Sequence, residues 1–169
     1  RDSSDFKLFI KYLVRENFRV LSFDNRASGK STCQDSFSLE DIVQDLLFIW
    51  DERQIAKSHV VGFSMGGIIA QHLASYFSSR VDRLILISTS CQLERLTTKS
   101  VPFSTHLESL VERLSTYFGP RFIKQNRLYI ELMAKQMLVK INQTDFIKHA
   151  ELQRNAIRNY IRAAVYRPC

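Results

Sequence analysis

The chain has 169 residues, of which 45% are hydrophobic and 24% charged, a composition typical of one globular domain with a hydrophobic core. It contains no run of about 18 apolar residues, so no transmembrane helix is expected. The opening residues 1–5 lack the charged and then apolar layout of a signal peptide. The cysteines are odd in number and widely spaced, which favours idle thiols in a reducing compartment over disulfides or a metal site: Cys33, Cys91 and Cys169. We therefore expect a cytoplasmic protein without a metal or cofactor.

The net charge of +7 is unevenly distributed. Residues 1–90 contain 11 Lys/Arg and 11 Asp/Glu, whereas residues 91–169 contain 13 and 6. A basic half raises the hypothesis of a module that binds nucleic acid or an acidic lipid. The cations are dispersed singly along helical sequence, with few aromatic residues to stack on bases. A solvated helix face, with no nucleic-acid partner, is therefore the preferred interpretation.

The first half of the chain alternates between helical and extended patterns. Residues 5–16 have apolar groups at helical spacing, and 18–24 are short and β-prone, which predicts a strand. A polar, Gly/Ser-rich loop follows over 25–38. Ser38 then provides an N-cap with acids in the first turn, and the apolar spacing predicts a helix over 39–53.

The alternation continues up to about residue 90. Residues 60–63 predict a buried strand, 65–77 a helix, and 81–88 an apolar strand of the kind found inside parallel sheets. Alternating helices and continuous apolar strands predict a parallel sheet with helices covering both of its faces. The expected fold class is therefore α/β.

Beyond this point the pattern is helical only. From residue 105 onward apolar groups recur at helical spacing, and no glycine follows Gly119. We predict two regions: residues 1–90 form a partial α/β core, and residues 91–169 form a helical cap or lid.

The motif G-x-S-x-G lies between the strand at 60–63 and the helix at 65–77. This arrangement is typical of a nucleophile elbow, in which the serine occupies a sharp, strained turn with its hydroxyl exposed. Ser64 is the candidate nucleophile, and the N–H of Met65, at the positive end of the helix, is the candidate oxyanion donor. Four residues are expected to support the turn: Gly62, Phe63, Gly66 and Gly67. We expect Gly62 and Gly66 to be required because the chain passes closely there. The alternative is a glycine-rich turn with an incidental serine.

Gly29-Lys30-Ser31-Thr32 suggests a phosphate-binding loop, but that motif needs a glycine five positions before Gly29. Asp24 occupies that position. Nucleotide binding is therefore disfavoured.

The segment from Asp24 to Ser31 resembles the D-x-R-G-x-G-x-S turn of α/β-hydrolases. Together with Gly62 to Gly67, it is similar to the serine-nucleophile, esterase- and lipase-like branch of that superfamily. Branches with an aspartate nucleophile are disfavoured because the elbow residue is Ser64. Ala27 departs from the pattern, since the family usually has glycine there. The resemblance implies a partial α/β-hydrolase fold followed by a helical cap.

The resemblance implies a serine hydrolase that transfers an acyl group from an ester- or lactone-type small molecule through Ser64. It also requires a histidine and a carboxylate, which we cannot assign and expect outside this chain, beyond a cap truncated before the acid-bearing strand. The 169-residue chain alone is therefore expected to be inactive or nearly so. Its open sheet edges favour self-association. A non-catalytic binding or interaction protein of the same fold is the alternative function.

Four histidines are present, and none is favoured as the base: His59, His72, His106 and His149. His59 precedes the strand that leads to Ser64, and His72 lies two helical turns beyond it. Asp145 and His149 are spaced to pair on one helix, which is more often a surface contact.

Overall fold

The computed structural model describes residues 3–91, 104–142 and 145–165, and these form two compact units. The first contains residues 3–91 together with 151–165, and the second contains 104–142 together with 145–150. The division differs from the sequence expectation, which assigned everything after residue 90 to a cap.

The helices and strands follow in the order expected from the sequence, apart from one predicted strand. A 3₁₀ turn (Ser3–Phe6) leads into α1 (Lys7–Arg15), and these are followed by α2 (Leu39–Glu52), β1 (Ser58–Phe63), α3 (Met65–Tyr76), a second 3₁₀ turn (Ser78–Arg80) and β2 (Val81–Ile87). The helical remainder comprises α4 (Leu107–Ser115), α5 (Pro120–Gln125), α6 (Arg127–Ile141) and α7 (Phe146–Val165). The α/β class and the helical second half are therefore confirmed.

The two strands β1 and β2 pair in parallel through the crossover helix α3. Val61 pairs with Ile85, Gly62 with Leu86 and Phe63 with Ile87, so the last pair of the ladder lies immediately before Ser64. The predicted parallel sheet with flanking helices is confirmed. Its carboxyl edge, where ligands bind in open α/β sheets, carries the Ser64 turn.

Two details of the sheet prediction are wrong. Residues 18–24 are not a strand, because a strand exists only when a neighbour completes its hydrogen-bond ladder, and no ladder joins these residues to the open edge of β1 or β2. Helices do not cover both faces of the sheet in the described part of the chain, since Val61, Ile85 and Leu86 remain exposed. Residue preference alone indicates a pleated, apolar surface but not what covers it.

The core of the first unit is built on α2. Leu39, Ile42 and Val43 are fully buried, and α3 adds Ile68 and Leu73. On α2 the buried positions follow Leu39 by three and four residues, as expected for one buried helix face. The hydrophobic effect thus packs the elbow helix against α2 and fixes its direction.

The beginning of α2 is capped as the sequence predicted. The Ser38 hydroxyl accepts a hydrogen bond from the Asp41 N–H, while the Asp41 carboxylate accepts one from the Ser38 N–H (2.7 Å). This capping box satisfies two N–H groups that would otherwise lack partners. The backbone hydrogen bond from Ser38 is the main cause that lowers the pKa of Asp41, and the Ser38 hydroxyl adds to it.

The later part of α7 belongs to the first unit because of its apolar stripe. Ala156 is buried in the core around α2, and Leu152, Ile157 and Tyr160 pack against that core. Helical spacing in the sequence identified this stripe but not its partner, which explains why the two regions predicted from the sequence differ from the two units.

The second unit has its own core between α4 and α6. Its buried side chains come from the facing stripes of these two helices: Leu110, Leu114, Ile130, Ala134 and Ile141. Within the described ranges, no helix is both long enough and apolar enough to cross a membrane.

Candidate active site at the Ser64 elbow

Ser64 is the single residue between the end of β1 and the start of α3. Its backbone has φ 52° and ψ −117°, which is in the left-handed half of conformational space that residues with a Cβ rarely adopt. Its side chain is exposed, and no hydrogen-bond partner for its hydroxyl occurs among the described residues. A strained backbone of this kind costs of order 1–3 kcal/mol and persists only where the surroundings impose it.

Two backbone hydrogen bonds hold the Ser64 turn. The Ser64 N–H donates to the Ile87 carbonyl (2.9 Å), which continues the ladder between β1 and β2 by one step. The Gly67 N–H donates to the Ser64 carbonyl (2.9 Å) and closes the first turn of α3. The N–H groups of Met65 and Gly66 are the first of the helix and have no acceptor within it. They form the positive end of the α3 dipole, next to Ser64 in the chain.

The glycines around Ser64 are not equivalent. A methyl group at Gly62 would lie 2.6 Å from the Gly66 carbonyl oxygen and 2.8 Å from Ala70 Cβ. One at Gly67 would lie 2.5 Å from the Thr89 methyl group, whereas one at Gly66 would meet nothing within 4 Å. The expectation that Gly66 must lack a side chain for space is therefore wrong. Only its carbonyl approaches another element, and the tight positions are Gly62 and Gly67.

Phe63, the last residue of β1, is half-buried. Its ring contacts that of Phe6 edge to face, with ring centroids 5.9 Å apart. The segment before α1 thus packs against the end of the strand that leads to Ser64.

Gln71 connects the first turn of α3 to the chain beyond β2. Its side-chain amide donates to the Gly67 carbonyl and to the Ser90 carbonyl, both at 3.1 Å. Thr89, between Ile87 and Ser90, packs against Gly67. The sequence analysis missed this connection. The four-residue spacing of Gly67 and Gln71 places them on one helix face, but nothing local indicates the second bond.

The turn from Asp24 to Ser31 is held by charge and hydrogen bonds. Arg26 forms a two-point ion pair with Asp45 on α2, with Nε–Oδ2 at 2.7 Å and an Nη–Oδ1 distance of 2.6 Å. The hydrogen bond from Asp45 is the main cause that raises the pKa of Arg26. Asp24 accepts hydrogen bonds from the Ser3 N–H (2.7 Å) and the Lys30 N–H (2.9 Å). The Lys30 contact uses a backbone group that a phosphate-binding loop would direct at its ligand.

Ala27, the departure from the hydrolase pattern, is buried at φ 56°. Glycine adopts this conformation without strain. The side-chain amide of Gln153 on α7 donates to the Ala27 carbonyl (3.0 Å) and to the Arg26 carbonyl (3.3 Å). The turn therefore keeps a glycine-like backbone despite its methyl group, and α7 is fastened to it.

Two of the histidines are in the first unit, and both are remote from Ser64. His59 lies on β1, five residues before Ser64, and five residues of extended strand span about 16 Å. Its Nδ1 lies 2.9 Å from Asp82 Oδ2. His72 is eight residues along α3, about 12 Å in helix rise. Its ring is buried, with Nδ1 3.2 Å from the Tyr160 hydroxyl. Neither ring reaches the Ser64 hydroxyl.

The other two histidines belong to the second unit. His106 precedes α4, and its backbone N–H donates to the Ser104 hydroxyl (3.1 Å). His149 donates its backbone N–H to the Asp145 carbonyl (2.8 Å), while its buried Nε2 has no hydrogen-bond partner among the described residues. The side-chain pair that the four-residue spacing allows is therefore not formed, since the bond between these residues is the ordinary backbone bond of a helical turn. Among the described residues, no three His, Cys, Asp or Glu side chains are grouped as metal ligands.

Comparisons with known proteins extend these observations. A sequence profile described as the alpha/beta hydrolase fold matches residues 2–167. Over 92 residues, the chain is 36% identical to the proline iminopeptidase PfmaB of Pestalotiopsis fici. The aligned segment covers 52% of this chain and 31% of that protein. Over 80 residues, it is 29% identical to 3-oxoadipate enol-lactonase 1 of Acinetobacter baylyi, covering 47% and 30%. The chain thus matches about a third of the length of these relatives.

Solved structures show the same fold over nearly all of the chain. The 2-hydroxy-6-oxo-6-phenylhexa-2,4-dienoate hydrolase (BphD) of Rhodococcus sp. strain RHA1 superposes with a TM-score of 0.73 at 19% identity, covering 96% of this chain and 61% of that one. The enol-lactonase of Burkholderia xenovorans LB400 gives 0.65 at 21% identity, covering 92% and 60%. At these identities the likeness concerns the fold alone.

Proposed function

Since the chain belongs to the α/β-hydrolase family, we propose that Ser64 is the nucleophile of a hydrolase that transfers an acyl group from an ester- or lactone-type small molecule to water. The observation that carries the proposal is the backbone of Ser64: a strained, exposed residue at a strand-to-helix turn. The family motif requires a serine in this setting. The names of two relatives, an enol-lactonase and an iminopeptidase, support a carbonyl substrate.

In this mechanism the Ser64 Oγ attacks the substrate carbonyl carbon and loses its proton to a base. The carbonyl oxygen becomes an oxyanion, and the N–H of Met65 donates a hydrogen bond to it with the support of the α3 dipole. Collapse of this intermediate expels the alcohol, which takes the proton from the base. Water then attacks the acyl-serine and releases the acid. The Met65 N–H is a backbone group whose position is fixed by the fold, so this donor does not have to move when negative charge develops on the substrate oxygen.

The base and its orienting carboxylate are not assigned to residues of this chain. The histidines of the first unit lie too far from Ser64 along their own elements, and the chain covers about 60% of the length of the solved structures that it resembles. We therefore assign both groups to residues outside these 169. Loss of the base lowers turnover by roughly 10⁴- to 10⁶-fold. The chain alone is accordingly expected to hydrolyse p-nitrophenyl esters no faster than its Ser64→Ala variant. We also propose a cytoplasmic location, which the free thiols of Cys33 and Cys91 support.

A fluorophosphonate probe applied to the naturally expressed protein tests the assignment. The probe forms a covalent bond to an activated serine, so peptide mapping should find it on Ser64, and Ser64→Ala should abolish labelling. Ser75→Ala is the matched control, because its hydroxyl is also exposed and donates to the Gln71 carbonyl (2.9 Å). A folded protein that remains unlabelled at Ser64 would refute the proposal.

A non-catalytic binding protein is the second candidate, and the remoteness of His59 and His72 from Ser64 favours it. In that case a carbonyl compound would bind at the α3 end without turnover. Saturable binding of a lactone by calorimetry, together with absence of probe labelling, would support this candidate over the hydrolase.

A further inference from the structure

The outward face of α6 is apolar. Leu128, Leu132 and Val139 are 70%, 50% and 65% exposed, and their spacing of four and seven residues places them on one side of the helix. The opposite side, with Ile130, Ala134 and Ile141, is buried against α4 and its neighbours. An ordinary surface helix is polar on the side turned away from its core. Helix α6 is apolar on both sides.

Aromatic side chains extend this face towards α5. Tyr129 is 53% exposed, and its ring meets that of Phe122 edge to face with centroids 6.4 Å apart. Phe122 in turn stacks on Phe118 at 4.7 Å. The outward face is thus a continuous strip, from the aromatic rings at the α5–α6 corner to Val139. Exposed apolar strips of this kind usually mark a binding surface.

The charges along this strip are mostly positive. Residues 120–141 include five Lys or Arg and a single acid, Glu131. Lys135 is exposed and lies between Leu132 and Val139 on the same face. Glu131 lies at the edge of the strip, one helical turn before Lys135, and pairs with Arg127, with Nε 3.2 Å from Oε1. The apolar strip therefore carries a net positive charge, and the one carboxylate at its edge is already paired with a cation.

We propose that the strip of α6, defined by Leu128, Tyr129, Leu132, Lys135 and Val139, binds the surface of an anionic lipid bilayer. Apolar side chains would enter the boundary between headgroups and acyl chains, and the cations would contact lipid phosphates. This combination of an apolar face, interfacial aromatic rings and Lys/Arg is typical of helices that lie in a membrane interface. This proposal does not depend on catalysis by Ser64.

Charge and length select this occupant over the others. A second copy related by two-fold symmetry would bring the same positive excess against itself, since residues 120–141 hold five cations and one acid. A nucleic acid would leave the apolar side chains without a partner. The 15 residues of α6 span about 22 Å, which suits a helix lying along a bilayer and is shorter than the ~30 Å hydrocarbon core.

Co-sedimentation of the full chain with vesicles tests the proposal. Binding is expected to vesicles of phosphatidylcholine mixed with phosphatidylglycerol, and much weaker binding to phosphatidylcholine alone. The double variant Leu128→Gln, Val139→Gln should lower the partition coefficient at least about tenfold, because two apolar side chains no longer leave water. The Lys135→Gln variant should have a partition coefficient about fivefold lower than the parent at low salt, and this difference should be smaller in high salt.

Phe48→Gln is the matched control. Phe48 is also highly exposed, but it lies on the acid-rich helix α2 in the other unit, so its loss should not change binding. Circular dichroism and thermal melts establish that each variant is folded. The proposal is overturned if the chain does not bind anionic vesicles at low salt, or if the double variant binds as well as the parent. It is also overturned if the double variant instead abolishes self-association measured without lipid, since a second copy would then occupy the strip.

Discussion

Adding one methyl group at either of two glycines beside Ser64 should have opposite effects on stability. At Gly62 the new carbon would lie 2.6 Å from two backbone atoms, the Gly66 oxygen and Gly67 Cα, which is about 0.8 Å inside ordinary contact. At Gly66 it would meet nothing within 4 Å. The two substitutions are chemically identical, so any difference between them reports on the local packing.

The magnitude follows from the type of atom that is contacted. Overpacking costs typically 1–3 kcal/mol, and contacts to backbone are at the upper end because a backbone cannot rotate away. Replacing glycine in a strand or helix returns about 0.5–1 kcal/mol by reducing the entropy of the unfolded chain. We therefore expect Gly62→Ala to destabilise by about 2 kcal/mol, and Gly66→Ala to stabilise by about 0.5–1 kcal/mol.

Thermal unfolding followed by circular dichroism measures this difference. At roughly 2–4 °C per kcal/mol for a chain of this size, the melting temperatures of the two variants should differ by about 5–12 °C, with the parent between them. Equal shifts, or shifts of the same sign, would refute the distinction between these glycines and with it the packing of β1 against α3.

Three further predictions concern strain, pH and the open sheet. In urea unfolding, the Ser64→Gly variant should be about 1–2 kcal/mol more stable than the Ser64→Ala variant. Glycine relieves the backbone strain, and the exposed side chain contributes no packing that would be lost. Equal stability of the two variants would show that the turn is unstrained. Asp41→Asn should lose stability near neutral pH, and this loss should shrink as the pH falls below the ordinary Asp pKa of about 4. The pKa of Asp41 is lowered by Ser38, so the carboxylate contributes above its ordinary pKa and that contribution disappears as the pH falls through the folded value. A parent whose urea midpoint stays constant over the same acid range would contradict this. The Ile85→Lys variant should show less concentration-dependent self-association in sedimentation velocity. The reason is that β2 exposes an apolar face and, among the described residues, pairs with a strand on one side only. An unchanged sedimentation profile would argue against association through the sheet.

The elbow was predictable because its signals are contiguous in the chain. An apolar run ends at Phe63, a helical pattern starts at Met65, and the glycines on either side leave one residue for the turn. Each of these features depends on residues within a few positions, where steric rules are strong. The N-cap at Ser38 was predicted for the same reason, whereas the reciprocal bond to the Asp41 carboxylate was not.

The errors and omissions arise where a partner distant in sequence decides the structure. Residues 18–24 have strand preference but no neighbouring strand to complete a ladder. Gln71 lies on the same helix face as Gly67, yet its bond to Ser90 depends on the return of β2 beside β1. The stripe of α7 was visible, while the core that receives it was not. Periodicity in the sequence indicates that one face of a helix or strand is buried, whereas tertiary packing determines which element that face packs against.

The conformation of Ser64 bears on whether its hydroxyl is incidental. An exposed turn residue at φ 52° gains nothing from a Cβ, and glycine would adopt the same backbone without strain. Two backbone hydrogen bonds, the contact of Thr89 with Gly67, and the Gln71 amide hold the turn in place. These contacts would hold a glycine equally well, so stability alone gives no reason for a serine. What the serine adds is a hydroxyl that needs no partner for folding, at the end of a helix whose first N–H groups are unpaired within it. The fold therefore does not require the strain at this position, and an exposed hydroxyl there is what the nucleophilic role proposed for Ser64 would need.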